Sequence, residues 1–235
     1  MDRKAIPSTS VERLAHELFG RSLADPAAEE LVAWLAGSRP FRAFVGAHRD
    51  KIRKKLRGAT DAEARRDVRT ELRVAQLLLA DRRMALEFEA YGSGKPGPDF
   101  TVAFRGERPF NLEVTRLRQV HGYGGLLAKL RQLPPSVPNA VIIAIDGDEA
   151  AAFDVEAATR ALRALADARD DAFFASRGLD GARGFNQRYL RLGAVLVWCE
   201  GAAGEARTSL WTNRSARIAL PERATRACVD CLRAG

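Results

Sequence analysis

Two short alternating runs constrain this chain more than any other feature. Asp99-Phe100-Thr101-Val102-Ala103-Phe104 and Phe110-Asn111-Leu112-Glu113-Val114-Thr115 flank Arg105-Gly106-Glu107-Arg108-Pro109. Alternating runs joined by a short connection containing Gly and Pro form a β-hairpin. Side chains alternate between the two faces of a strand. Phe100, Val102 and Phe104 therefore lie on one face, and Asp99, Thr101 and Ala103 on the other. In the second run Phe110, Leu112 and Val114 oppose Asn111, Glu113 and Thr115. Matching the apolar faces brings the polar faces together. Asp99 is then expected across from Glu113 or Thr115, with two carboxylates converging on one patch.

That pair suits a divalent cation. Mg²⁺ prefers oxygen ligands, takes one or two protein carboxylates and completes its shell with water and substrate phosphate. The backbone carbonyl beside Glu113 is a further donor. A metal held there can activate a water and offset charge on a scissile phosphate. Taken singly, each acid reads as a solvated strand residue, as most Asp and Glu are.

A third acid lies upstream. Residues 61–81 carry the periodicity of an amphipathic helix, with Thr60 and Glu63 spaced as a capping box at its start. Val68, Leu72, Val74, Ala75, Leu78 and Leu79 crowd one side of it. Glu71 falls within about 20° of Leu78, inside the apolar face. An acid there must find a partner or lose its charge. A salt bridge to a basic residue is one solution. Another is to aim Glu71 at the carboxylate patch, because a strand at 84–90 links this helix to the hairpin.

In order, the chain presents a helix bearing Glu71, a strand, Pro98-Asp99, Glu113-x-Thr115, a helix and a further strand. This pattern resembles the PD-(D/E)xK nuclease superfamily, the fold of many restriction and repair endonucleases, over residues 61–146. The resemblance implies an α/β fold with a restriction-endonuclease-like αβββαβ core, a mixed central sheet and a helical N-terminal extension. It further implies a phosphodiesterase site dependent on Mg²⁺ (or Mn²⁺), with Glu71, Asp99 and Glu113 as its acidic residues and metal ligands. The family's lysine, two positions after the Glu, orients water and stabilises charge near the phosphate; here Thr115 stands in its place. Related members carry Lys or Gln on the following helix, which makes Lys129, with Gln132 three positions on, the first candidate for a displaced catalytic lysine. Lys95, on the Gly/Pro loop at 92–97, is the second.

Charge agrees with a polyanionic partner. The chain of 235 residues has a formal net charge of +8 and a pI of about 9.9, which favours nucleic acid; DNA is preferred on the resemblance, and a homodimer is compatible with it. Arg49, Lys51, Arg53, Lys54, Lys55 and Arg57 form a basic run interrupted by one acid, Asp50. Such a run raises phosphate affinity in a salt-sensitive way, although it also reads as a solvated helix face. Arg116, Arg118, Arg207, Arg214 and Arg217 add positive charge near expected strand ends. Aromatic residues make up 7% of the chain, too few for base stacking to be the main mode of binding.

Helices are expected at 11–19, at 26–36 and from about residue 41 into the basic run, giving a helical lobe at 1–58 beside a nuclease-like α/β domain at 59–235, or one compact unit. The unbroken apolar run 139–146 reads as a central strand. A helix at 155–167, a buried strand at 192–198 and an edge strand at 208–212 follow, with 170–187 as a long loop or lid. Cys228-x-x-Cys231 has ligand spacing, but only Cys199 could join it and no histidine stands nearby, which argues against structural zinc. Three cysteines without a secretory signal fit a reducing cytoplasm. No apolar run reaches membrane-spanning length. His121 lies in a Gly-rich turn just beyond Glu113, and that turn lacks the Lys-Ser/Thr of a phosphate-binding loop. The sequence thus supports a DNA-cleaving nuclease, with an inactive nuclease-fold protein that binds nucleic acid or protein as the competing reading.

Overall fold

The computed structural model describes residues 10–19, 26–92, 97–117, 124–146, 153–200 and 206–235. They form an α/β protein that divides into two compact units, residues 1–82 and 83–235. Lys95 and His121 lie outside the described residues. No described helix is long and apolar enough to cross a membrane.

The first unit is helical: α1 (Ser10–Phe19), α2 (Pro26–Gly37), α3 (Arg39–Ala47), α4 (Arg49–Gly58) and α5 (Ala62–Leu78). The third helix expected to run into the basic segment is in fact two, α3 and α4, separated at His48. His48 takes φ −108° and ψ 15°, and its ring packs on Phe44 at 4.9 Å. Phe41, Phe44, Val45 and Ile52 are buried on either side of the break. The start of α5 also differs from expectation by one residue. Asp61, not Thr60, is the N-cap, its carboxylate accepting from the Ala64 amide at 2.7 Å. Polar contacts tie α5 to its neighbours: Arg69 grips Glu30 of α2 with two nitrogens, at 2.5 and 2.7 Å, and the Arg69 and Arg73 guanidiniums lie over the Trp34 ring.

The second unit is built on one sheet of six strands in sequence order: β1 (Met84–Phe88), β2 (Phe100–Phe104), β3 (Phe110–Leu117), β4 (Asn139–Asp146), β5 (Leu192–Glu200) and β6 (Ala206–Thr212). β1, β2 and β3 run antiparallel in succession. β3, β4 and β5 are parallel, and β6 returns antiparallel as an edge. The parallel pairs need crossovers. α6 (Gly124–Leu130) lies between β3 and β4, while α7 (Val155–Asp167), α8 (Asp171–Ala175) and α9 (Gly181–Tyr189) lie between β4 and β5.

Register assigns the faces. Phe100 pairs with Leu112 and Val102 with Phe110, so the apolar faces of the hairpin coincide. Glu113 pairs with Val141, and Thr115 with Ile143. Val141 and Ile143, with Val195 and Val197 of β5, pack under Leu126, Leu127 and Leu130 of α6, Leu162 of α7, and Phe174 and Phe185 of α8 and α9. The crossover helices thus cover the face that carries Glu113. α10 (Glu222–Arg233) serves the opposite face, where the Trp198 indole donates to the Leu232 carbonyl at 3.1 Å.

The segment expected as a loop or lid at 170–187 is instead helical. Asp170 caps α8 by accepting from the Phe173 amide at 2.9 Å. Asp171 accepts from the Ala182 amide at the start of α9. Phe174 stacks on Phe185, and Phe185 lies against Tyr189 one turn on. Gly178 and Gly181, both at positive φ, make the tight turn between the two helices rather than a mobile lid.

Candidate active site

The site forms where β2 and β3 meet under α6. Pairing Phe100 with Leu112 and Thr101 with Asn111 sets Asp99, just before β2, across from Glu113. Their contacts are reciprocal. Glu113 Oε2 accepts from the Asp99 amide at 3.2 Å, and Asp99 Oδ2 accepts from the Val114 amide at 2.8 Å. Each acid is thereby fixed by the other strand's backbone. Asp99 is 8% exposed and Glu113 1%. Water solvates neither carboxylate well, so both depend on hydrogen bonds and nearby cations.

The cation comes from α6. Lys129 Nζ lies 2.5 Å from Glu113 Oε1. The apolar side of this short helix, Leu126, Leu127 and Leu130, is buried against the sheet, and Lys129 projects from its last turn onto the acid. One turn further, the Gln132 amide nitrogen, oriented so that both of its polar atoms are satisfied, donates to Glu113 Oε1 at 2.7 Å and Oε2 at 3.3 Å. Thr115 shares the face of Glu113, two residues along the same strand, and is only partly buried.

A network of neutral groups borders the acids. Asn111, on the same face of β3, is fully buried; it donates to Asn139 Oδ1 at 3.0 Å and exchanges hydrogen bonds with the Tyr91 hydroxyl. Asn139 Nδ2 in turn donates to the carbonyls of Pro134, Val137 and Arg191. Sequence reading passed over Asn139, because it stands first in an apolar run. Its one signal was its polarity in a strand otherwise buried on both faces. At the other end of the patch, Glu89 takes a left-handed φ of 45° while its amide donates to the Asp99 carbonyl at 2.8 Å. A non-glycine residue in that region costs about 1 kcal/mol, here in the segment that anchors the backbone of Asp99.

The remaining expected residues have partners or faces of their own. Glu71 belongs to the helical unit, where it is 7% exposed and meets Lys55 Nζ at 2.5 Å. The ion-pair reading of its burial is the one observed. Arg116 is 8% exposed and, paired with Ala144, points to the sheet face opposite Glu113; it does not join the carboxylates. On α4, Arg49 pairs with Glu17 and Asp50, and Arg53 with Asp50, so part of the basic run is neutralised locally. Lys54 and Arg57 are exposed on that helix, and Lys51 is half-buried.

Among the described residues no group of three or more His, Cys, Asp or Glu side chains is placed to share a metal ion. The Asp99 and Glu113 pair nevertheless fits Mg²⁺ or Mn²⁺, because its donors are hard oxygens and such a cation needs only one or two protein carboxylates. Comparison with protein-family models, with curated proteins and with solved structures returned no match.

Proposed function

We propose that this protein is a metal-dependent nuclease that hydrolyses phosphodiester bonds in DNA, built on a restriction-endonuclease-like αβββαβ core. One observation carries the reading: two nearly buried acids from neighbouring strands, Asp99 and Glu113, meet a lysine delivered from the next helix. The strand sequence supports it, with three antiparallel strands followed through α6 by a parallel fourth. So does the net charge of +8.

In this reading Asp99 and Glu113 hold Mg²⁺ or Mn²⁺, which when bound supplies Lewis-acid stabilisation of the phosphate and a more acidic water. The chain's own groups do the rest. Lys129 brings a positive charge to the place left by Thr115, where it orients the attacking water and offsets charge on the phosphate. Gln132 and the Asp99 amide keep Glu113 aimed. The exposed Lys54 and Arg57, with Lys51, add affinity for the phosphate backbone. A role for Glu71 at the metal rests on the family resemblance alone.

The second reading, an inactive nuclease fold that binds nucleic acid, draws on a different observation. Glu113 already receives Lys129, Gln132 and the Asp99 amide, a set that satisfies its oxygens from within the protein. One experiment separates the two: cleavage of single- and double-stranded DNA and RNA with Mg²⁺ or Mn²⁺ by the parent, Asp99→Ala, Glu113→Ala and Lys129→Gln proteins. Cleavage by the parent that all three changes abolish establishes the nuclease. Salt-sensitive binding without cleavage, unchanged by Asp99→Ala, establishes the binding module.

A further inference from the structure

A cavity of about 680 Å³ opens away from the carboxylates and plays no part in the reading above. One stripe of α7 forms its floor, with Glu156, Arg160, Arg163 and Asp167 at the spacing of successive turns. Its opposite wall is the end of β6, with Trp211, and the turn that follows, with Arg214. The volume falls within the roughly 300–1,000 Å³ of small-molecule sites.

The wall is fixed. Asn213, 4% exposed, donates to the carbonyls of Tyr189 and Leu192 and accepts from the Ser215 amide at 3.0 Å. The Asn213 amide donates to the Gly193 carbonyl, and the Arg217 amide to that of Leu190. Arg214 therefore stands on a turn pinned on both sides. Trp211 packs against the core and lines the cavity as well. Arg163 lies over the Tyr189 ring at 5.9 Å. Arg160 is paired with Glu156 at 3.2 Å; Arg163, which also hydrogen-bonds the Tyr189 hydroxyl, and Arg214 line the same space, with Asp167 as the other acid.

Two guanidiniums on fixed elements match the oxygens of a phosphate. The Trp211 indole, which lines the same cavity, can stack on a planar base, and the Asp167 carboxylate can accept from ribose hydroxyls. We propose that this cavity is a binding site for a nucleoside phosphate, with Arg163 and Arg214 on the phosphate and Trp211 under the base. It is separate from the carboxylate patch. Glu113 pairs with Val141, Val141 with Val195 and Val195 with Trp211, so the two sites share one sheet face about 14 Å apart, three strand spacings, with the buried core of α6 to α9 between them.

The test is calorimetric titration of the full chain at low salt with adenosine 5′-monophosphate, adenosine and inorganic phosphate. The expected result is tightest binding of the monophosphate. Arg163→Ala with Arg214→Ala should weaken monophosphate and phosphate alike by about tenfold or more. Trp211→Leu should weaken the monophosphate by about tenfold and leave phosphate nearly unchanged, while Trp211→Phe should keep most of the affinity. Asp99→Ala should bind as the parent does, which keeps this result independent of the nuclease reading. Displacement of the monophosphate by a short 5′-phosphorylated oligodeoxynucleotide, and not by its unphosphorylated form, would assign the site to a chain end; no displacement would assign it to a free nucleotide. No binding at millimolar monophosphate, binding that survives loss of both arginines, or monophosphate held no more tightly than phosphate would each overturn the proposal.

Discussion

Lys129 Nζ and Glu113 Oε1 lie 2.5 Å apart across sixteen positions of sequence, with the acid almost wholly buried and the lysine side chain 22% exposed. The asymmetry has an energetic consequence. Removing the lysine leaves a carboxylate in a dry place, whereas neutralising the acid leaves an ammonium that can turn to water. Lys129→Met is therefore expected to destabilise the fold by about 1–3 kcal/mol. Glu113→Gln, which keeps an acceptor for the Asp99 amide, should cost less than half of that. Urea unfolding at neutral pH measures both, and equal losses would contradict the asymmetry.

In the proposed nuclease, Thr115 and Lys129 are two alternative positions for the catalytic cation. Both approach Glu113, one along β3 and the other from α6. If Lys129 supplies the charge, Lys129→Gln should lower cleavage by about 10²-fold or more. Adding Thr115→Lys to that protein should restore part of the loss, because the new ammonium rises from the same sheet face. Single-turnover cleavage reads both changes; no restoration would mean that Lys129 acts by some means other than its charge beside Glu113.

Acid should loosen the helical unit at Glu30. The hydrogen bond from Arg69, with the charges of Arg69 and Arg73, holds this carboxyl below its ordinary range, against a smaller opposing effect of burial. A folded-state pKa below the unfolded one means the pair stabilises fully above the unfolded value and ceases to do so as pH falls through the folded one. Glu30→Gln should thus cost roughly 0.5–1 kcal/mol near neutrality, and the cost should fade as pH drops through the lowered folded-state pKa. Unfolding of parent and variant at neutral and acid pH tests the sign.

Two glycines should respond oppositely to alanine. At Gly46, inside α3, an added methyl meets nothing within 4 Å, so Gly46→Ala should stabilise by about 0.5–1 kcal/mol through helix propensity. At Gly193 the same methyl would stand 3.0 Å from the Asn139 carbonyl oxygen and from Leu220. Gly193→Ala should cost about 1–3 kcal/mol, because backbone in a central pair of strands has little room to yield. Thermal melts of the two proteins should shift in opposite directions.

What could be read from sequence was what period alone determines. Alternation placed Asp99 opposite Glu113 or Thr115, and the observed pairing of Phe100 with Leu112 selects Glu113. The leucines of α6 marked its buried side, but it was the family resemblance that singled out Lys129 on that helix. Parity also turns Arg116 away from Glu113, because residues three apart on a strand face opposite sides. Other features depend on partners remote in sequence. Gly178, Gly181 and Gly184 made 170–187 look irregular, and only the stacking of Phe174 and Phe185 shows why helices form there. Period placed Glu71 on a buried face but could not name Lys55 as its partner, since that choice belongs to helix packing.

The Asn111–Asn139 pair, joined at 3.0 Å, has a consequence for how this protein can change. A slip of one residue between β3 and β4 would turn Glu113 to the opposite side of the sheet, and the buried amides forbid it by binding each other and three carbonyls. They are uncharged and take no part in the chemistry proposed for their neighbours. The pairing of β3 with β4 is thus held by groups other than those at 113, 115 and 129. Those positions are interchangeable fittings on a locked chassis, open to a redesigned cation site or to none, with the strands still in place.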